Sequence, residues 1–114
     1  MKKIIFLVFV AFFHSQTLAV GIADSFDIDY VRIDHNGKGF IRFKRDIIHE
    51  PPTCAGVDYK NAMSFDTNKD PGRAIYSMAL TAQASGKKVY AVGRGLCETY
   101  SQIESWNYGY IVDP

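Results

Sequence analysis

Asp70-Pro71-Gly72-Arg73-Ala74-Ile75-Tyr76-Ser77-Met78-Ala79-Leu80-Thr81-Ala82-Gln83-Ala84-Ser85-Gly86, followed at once by Lys87-Lys88-Val89-Tyr90-Ala91-Val92-Gly93, reads as one helix delivered directly into a strand. Asp70 suits the N-cap, Pro71 the first helical position and Gly86 the left-handed position after the last turn. Between them Ile75, Met78, Ala79 and Ala82 recur at helical spacing, and Tyr76 and Leu80 widen the stripe. Lys87 and Lys88 lie at the negative end of the helix dipole. Lys88–Gly93 then switches to a β-rich run with no helical spacing.

Working outward from this unit gives strands on both sides. Downstream, residues 103–112 read as a strand, with Trp106, Tyr108 and Tyr110 spaced by two and therefore placed on one face. Upstream, residues 26–33 and 39–45 flank Asp34-His35-Asn36-Gly37-Lys38, and Asn-Gly is a strong hairpin signal. Pro51-Pro52 makes residues 50–56 a loop, because proline cannot donate to a ladder. A short third strand is expected over residues 62–65. The expected order is β-β-β-α-β-β, a mainly β domain with one helix (α+β). A small five-stranded OB-like barrel uses that order, and a roll with the helix across an antiparallel sheet is the alternative.

The N-terminus carries a different message. Met1-Lys2-Lys3 precedes an uncharged apolar run from Ile4 to Phe13, then His14-Ser15-Gln16 and Thr17-Leu18-Ala19. A positive start, a short apolar run and small residues before a cut mark a secretory signal peptide, residues 1–19, with a second cut available after Ala23. A membrane-spanning helix needs about 20 apolar residues, so no stable membrane span is expected here. The mature part, residues 20–114, is long enough for one domain with a modest core. Loss of Lys2 and Lys3 lowers Lys+Arg from 13 to 11 against 12 Asp+Glu, moving the formal charge from +1 to −1. That leaves no basic field for nucleic acid. The protein is expected outside the cytoplasm, periplasmic or secreted.

Cys54 and Cys97 are the two cysteines, and an even pair in an exported chain reads as a disulfide. The alternatives are metal ligands, which want CxxC spacing, or a catalytic thiol, which wants a base close by. No metal or cofactor is expected. Asp66-Thr67-Asn68-Lys69-Asp70 has the alternating oxygens of a calcium loop, yet Pro71 stands where glycine should be and Ser77 where a bidentate Glu should be. A turn leading to the helix cap accounts for it. Gly93-Arg94-Gly95 lacks the later glycine and following helix of a phosphate loop. His35 and His49 fall in a turn and a loop, and no nucleophile–base–orienter set can be named, so the chain is not expected to be an enzyme.

Aromatic residues are the suggestive feature. Tyr90, Tyr100, Trp106, Tyr108 and Tyr110 crowd the last third of the chain. Such rings pair an apolar face with a polar edge, which suits a sugar or a protein surface, though strands also use them simply as core. Trp106, Tyr108, Tyr110 and Tyr90 are the candidate ligand-binding residues.

Pro52-Thr53-Cys54-Ala55, Gly72-Arg73-Ala74, Ala82-Gln83-Ala84-Ser85-Gly86-Lys87-Lys88-Val89, Gly93-Arg94-Gly95-Leu96-Cys97, and Ile103-Glu104 followed by Asn107-Tyr108 together resemble a group of small exported gammaproteobacterial proteins. The resemblance spans about residues 28–111 and implies that the two cysteines pair and that Ala-Ser-Gly-Lys ends the helix. More loosely, the strand–helix–strand order is similar to the B subunits of subtilase-cytotoxin-like and pertussis-like toxins. Those are OB-type domains that bind glycans as pentamers, which implies a homo-oligomer here. The expected function is a non-enzymatic exported binding module for a glycan or cell-surface ligand; the alternative is a periplasmic protein-interaction or inhibitor domain.

Overall fold

The structure, a computed structural model, describes residues 19–113. The expected signal peptide therefore lies, except for Ala19, outside the described residues. Seven strands and one helix follow in the order β1 (Gly21–Phe26), β2 (Ile28–Ile33), β3 (Lys38–Phe43), β4 (Ile48–His49), β5 (Ala62–Asp66), α1 (Asp70–Ser85), β6 (Lys88–Gly93) and β7 (Glu104–Val112), with a 3₁₀ turn at Val57–Tyr59. Among the described residues no helix is long and apolar enough to cross a membrane.

All seven strands form one sheet in the order β2-β3-β5-β7-β6-β1-β4. Every pairing is antiparallel except β5 with β7, which run parallel and meet only at Met63↔Glu104 and Ser64↔Ser105. The expected hairpin is present as β2 and β3, paired from Ile28↔Phe43 to Ile33↔Gly39. The expectation of a five-stranded barrel needs correction: the sheet has seven strands, and its outer strands β2 and β4 do not pair to close it. The extra strands have a local cause. Residues 21–33 are one extended run interrupted at Asp27, beside Ser25 with its positive φ of 59°. The register slips there, so β1 joins β6 while β2 turns to β3. Ile48 and His49 then add a short edge to β1.

The helix ends as its sequence requires, with Gly86 left-handed at φ 67° and its N–H directed to the carbonyls of Ala82 and Gln83. Its start differs from expectation. Lys69 is the N-cap residue, without a side-chain bond, and Asp70 sits inside the first turn, paired instead with Arg73. The Asp66 carboxylate takes the local capping work one turn earlier, accepting the backbone N–H of Asn68 at 3.0 Å and its side-chain amide at 2.8 Å. Those bonds hold Asp66 below the usual carboxylate range and use the oxygen that a calcium loop would offer.

Ala79 and Ala82 bring the helix down onto one face of the sheet, where Phe26, Ile41, Phe43, Met63, Phe65, Val89, Ala91 and Trp106 form the main core. Ile75, Tyr76 and Met78 pack around its edge, while Leu80 is largely exposed. A second, smaller cluster covers the opposite face of β3 and β5: Phe40, Ala62 and Ile103 under Tyr59 and Tyr100. Arg42 lies over Tyr30, Phe40 and Tyr59, and bonds the Tyr30 hydroxyl at 2.7 Å and Asn61 Oδ1 at 2.6 Å. Tyr100 donates to Asp34, and burial together with that acceptor pushes its phenol up to about 12. Cys54 and Cys97 are joined, tying the loop after β4 to the loop between β6 and β7 across a separation of 43 residues.

Candidate functional site

Trp106, Tyr108 and Tyr110, expected to share a face, do not. The pairings Val92↔Tyr108 and Gly93↔Trp106 leave Asn107 as an extra residue, a β-bulge. The bulge breaks the period of two, so Trp106 turns inward and Tyr108 and Tyr110 turn outward. Trp106 is 7% exposed and belongs to the core, whereas Tyr108 and Tyr110 are each 54% exposed. Gly109 completes the arrangement: a Cβ there would stand 2.6 Å from Cζ2 of Trp106.

Tyr90 of β6 lies opposite Tyr110, and their rings stack at 5.2 Å with 22° between planes. Tyr108 lies opposite Val92, which faces Ile22 of β1, which in turn faces Ile48 of β4. The outward side of β4-β1-β6-β7 thus carries two rows, Ile48-Ile22-Val92-Tyr108 and Tyr90-Tyr110 with Asp24 alongside. Helix α1 packs into the core on the other side, and on this face Tyr108, Tyr110 and Ile48 are exposed while Val92 is buried among its neighbours. The Tyr90 phenol sits above its ordinary value, first through partial burial and then through Tyr108, Tyr110 and Asp24 around it.

Beyond Ser64↔Ser105, strands β5 and β7 splay apart and open a cleft of about 260 Å³. Trp106 and Ile75 form its apolar wall, and Asp66, Lys69, Arg94 and Glu98 stand at its mouth. Two of the charges there pair with each other: Arg94 Nε donates to Glu98 Oε1 at 2.6 Å. Ser105 Oγ accepts the Glu98 N–H, and Ser64 Oγ donates to the carbonyls of Ile103 and Glu104. His35 and His49 are both exposed and lie on other elements. Among the described residues no three His, Cys, Asp or Glu side chains gather closely enough to hold a metal.

Sequence reasoning missed one polar residue altogether. Glu104 is 1% exposed at the start of β7, and its carboxylate accepts N–H bonds from Gly21, 3.1 Å to each oxygen, and from Gly95 at 2.9 Å. Its position next to apolar Ile103 at the head of a strand gives no signal of burial; its partners are 83 and 9 residues away. No family model, characterised protein or solved structure matches this chain.

Proposed function

We propose that this chain is an exported, non-enzymatic binding module that takes a glycan on the tyrosine face formed by Tyr90, Tyr108 and Tyr110. The observation that carries the reading is a sheet face, on the side away from the helix, bearing three outward tyrosines, two of them more than half exposed. Aromatic faces accept the C–H side of a sugar ring while phenol hydroxyls meet its hydroxyl groups. A stacked pair on a β-sheet loses little conformational entropy on binding, and Asp24 beside Tyr90 supplies an acceptor. The disulfide accords with an oxidising compartment, periplasmic or secreted.

Connectivity supports an OB-like roll for the scaffold. The helix lies between β5 and β6, as the expected order has it, and packs across one face of the open, mostly antiparallel sheet. The same connectivity favours the looser likeness to toxin B subunits, and with it a homo-oligomer. The non-enzymatic reading is supported by the cleft, where Arg94 and Glu98 pair with each other and Asp66 is held by Asn68.

A second reading is favoured by one observation: β5 pairs with β7 only at Glu104 and Ser105, so the far edge of residues 107–112 carries no strand. A protein partner could add a strand there. A glycan array with the oxidised protein and its Tyr108→Ala and Tyr110→Ala variants tests the first reading. Binding that both variants lose supports it. No glycan bound by the parent protein, with amides of residues 107–112 protected from exchange by a protein ligand, would replace it with the second.

A further inference from the structure

We propose that cutting the chain between Ala19 and Val20 releases an α-ammonium that becomes the counter-ion of the buried Glu104 carboxylate, so that processing completes the fold. The proposal rests on the export reading above.

Glu104 is an ionisable group in a place that disfavours charge. Its oxygens are held only by backbone N–H groups, those of Gly21 and Gly95, and no cationic side chain among the described residues reaches it. A carboxylate withdrawn from water without a counter-ion is costly. Yet the chain makes room for this one, since a Cβ on either Gly21 or Gly93 would run into it.

The missing cation lies one residue along the chain. The Gly21 nitrogen is 3.1 Å from both carboxylate oxygens. Standard bond lengths put the Val20 nitrogen at most about 3.7 Å further, within roughly 7 Å of the carboxylate. The Val20 carbonyl accepts the Glu50 N–H at 3.1 Å, so the residue is anchored while its nitrogen end can turn. On the other side the Ala19 carbonyl packs over Gly95, whose own N–H is the third donor to Glu104. The Ala19–Val20 bond therefore crosses the rim of the carboxylate's pocket. Hydrolysis by a signal peptidase adds water across it: the C–N bond breaks, Ala19 leaves with the leader as a carboxylate, and the Val20 nitrogen takes up protons to become an α-ammonium beside a buried negative charge.

The alternative cut after Ala23 does not fit the same geometry. Ala23 is buried in the middle of β1 and pairs with Ala91. That cut would discard Gly21 with both its bonds to Glu104, along with the pairing of β1 to β4.

The test is to express the full chain in an exporting bacterial host and weigh the recovered, oxidised product. A product beginning at Val20 is expected. A retained, uncut chain would overturn the export reading and this proposal with it, whereas an exported chain cut after Ala23 would overturn this proposal alone. In the Val20 product, NMR titration should place the α-ammonium about one unit above its ordinary value near 8, a tenfold gain in proton affinity, and Glu104→Gln should return it. An ordinary value in the parent protein overturns the pairing. If Glu104→Gln fails to fold, selective acetylation of the α-amine serves instead: the Glu104 carboxyl should then titrate about one unit higher, and an unchanged titration overturns the pairing.

Discussion

Trp106 occupies the space that a side chain on Gly109 would need: a Cβ at Gly109 would lie 2.6 Å from Cζ2 of the indole. The two residues sit three apart on β7 but on the same inward side, because the bulge at Asn107 falls between them. The indole is packed rather than displayed. Gly109→Ala should therefore destabilise the protein by about 1–3 kcal/mol, the usual cost of overfilling a packed core. Urea unfolding checks this, and a midpoint unchanged from the parent would mean that both the indole and the Tyr90 carbonyl, which also crowds that Cβ, give way without cost.

Trp106→Ala and Tyr108→Ala should separate structure from recognition. Removal of the buried indole is expected to cost about 3–5 kcal/mol, a large share of the stability of so small a domain. Tyr108→Ala, on the open face, should stay within about 0.5 kcal/mol of the parent and lose ligand. Thermal melts and glycan binding read on both variants test the pair. Glycan binding retained by folded Tyr108→Ala would remove that tyrosine from the site.

The disulfide joins two loops that share no strand. Reducing Cys54–Cys97 should lower stability by about 3–4 kcal/mol in the chain-entropy view of a loop this long. Urea curves with and without reductant, repeated on the Cys54→Ala/Cys97→Ala double variant, measure it. Overlapping curves would mean that the sheet alone fixes the loop after β4.

Glu104 should impose a pH dependence whose sign depends on processing. In the chain with Ala19 still joined to Val20, burial holds the Glu104 carboxyl above its ordinary value, against the two backbone N–H groups that pull it down. The folded state then binds the proton more tightly than the unfolded state. The contribution is fully present below the unfolded value and is lost as pH rises through the folded one. Relative to Glu104→Gln, the unprocessed protein should lose stability on going from pH 4 to pH 7. The Val20-terminated product should lose less over the same range, or gain. Equal slopes in all three proteins would mean that Glu104 does not titrate with folding.

The elements themselves were legible because their signals are local. The spacing of Ile75, Met78, Ala79 and Ala82, closed by Gly86, placed the helix, and Asn36-Gly37 placed the hairpin. β6 was found residue for residue and β7 to within one residue. What was missed had weak or no local signal. In residues 21–25 the inward positions, Gly21 and Ala23, carry no bulky β-former to mark a strand, because Gly21 must clear the Glu104 carboxylate and Ala23 is fully buried in the core. β4 contributes only two residues, with His49 at a positive φ of 74°.

The sequence by itself determined the helix, the strands β2, β3, β5, β6 and β7 in their order, and the presence of aromatic residues on β6 and β7, since propensity and periodicity act over a few neighbouring residues. Only the tertiary structure decided which aromatics face water. A bulge is a mismatch between two strands, Val92–Gly93 against Trp106–Tyr108, and it inverts every side chain on one side of it. The same holds for Glu104, whose burial depends on a backbone N–H 83 residues away and on two missing Cβ atoms, at Gly21 and Gly93, brought to it by the pairing of β7, β6 and β1.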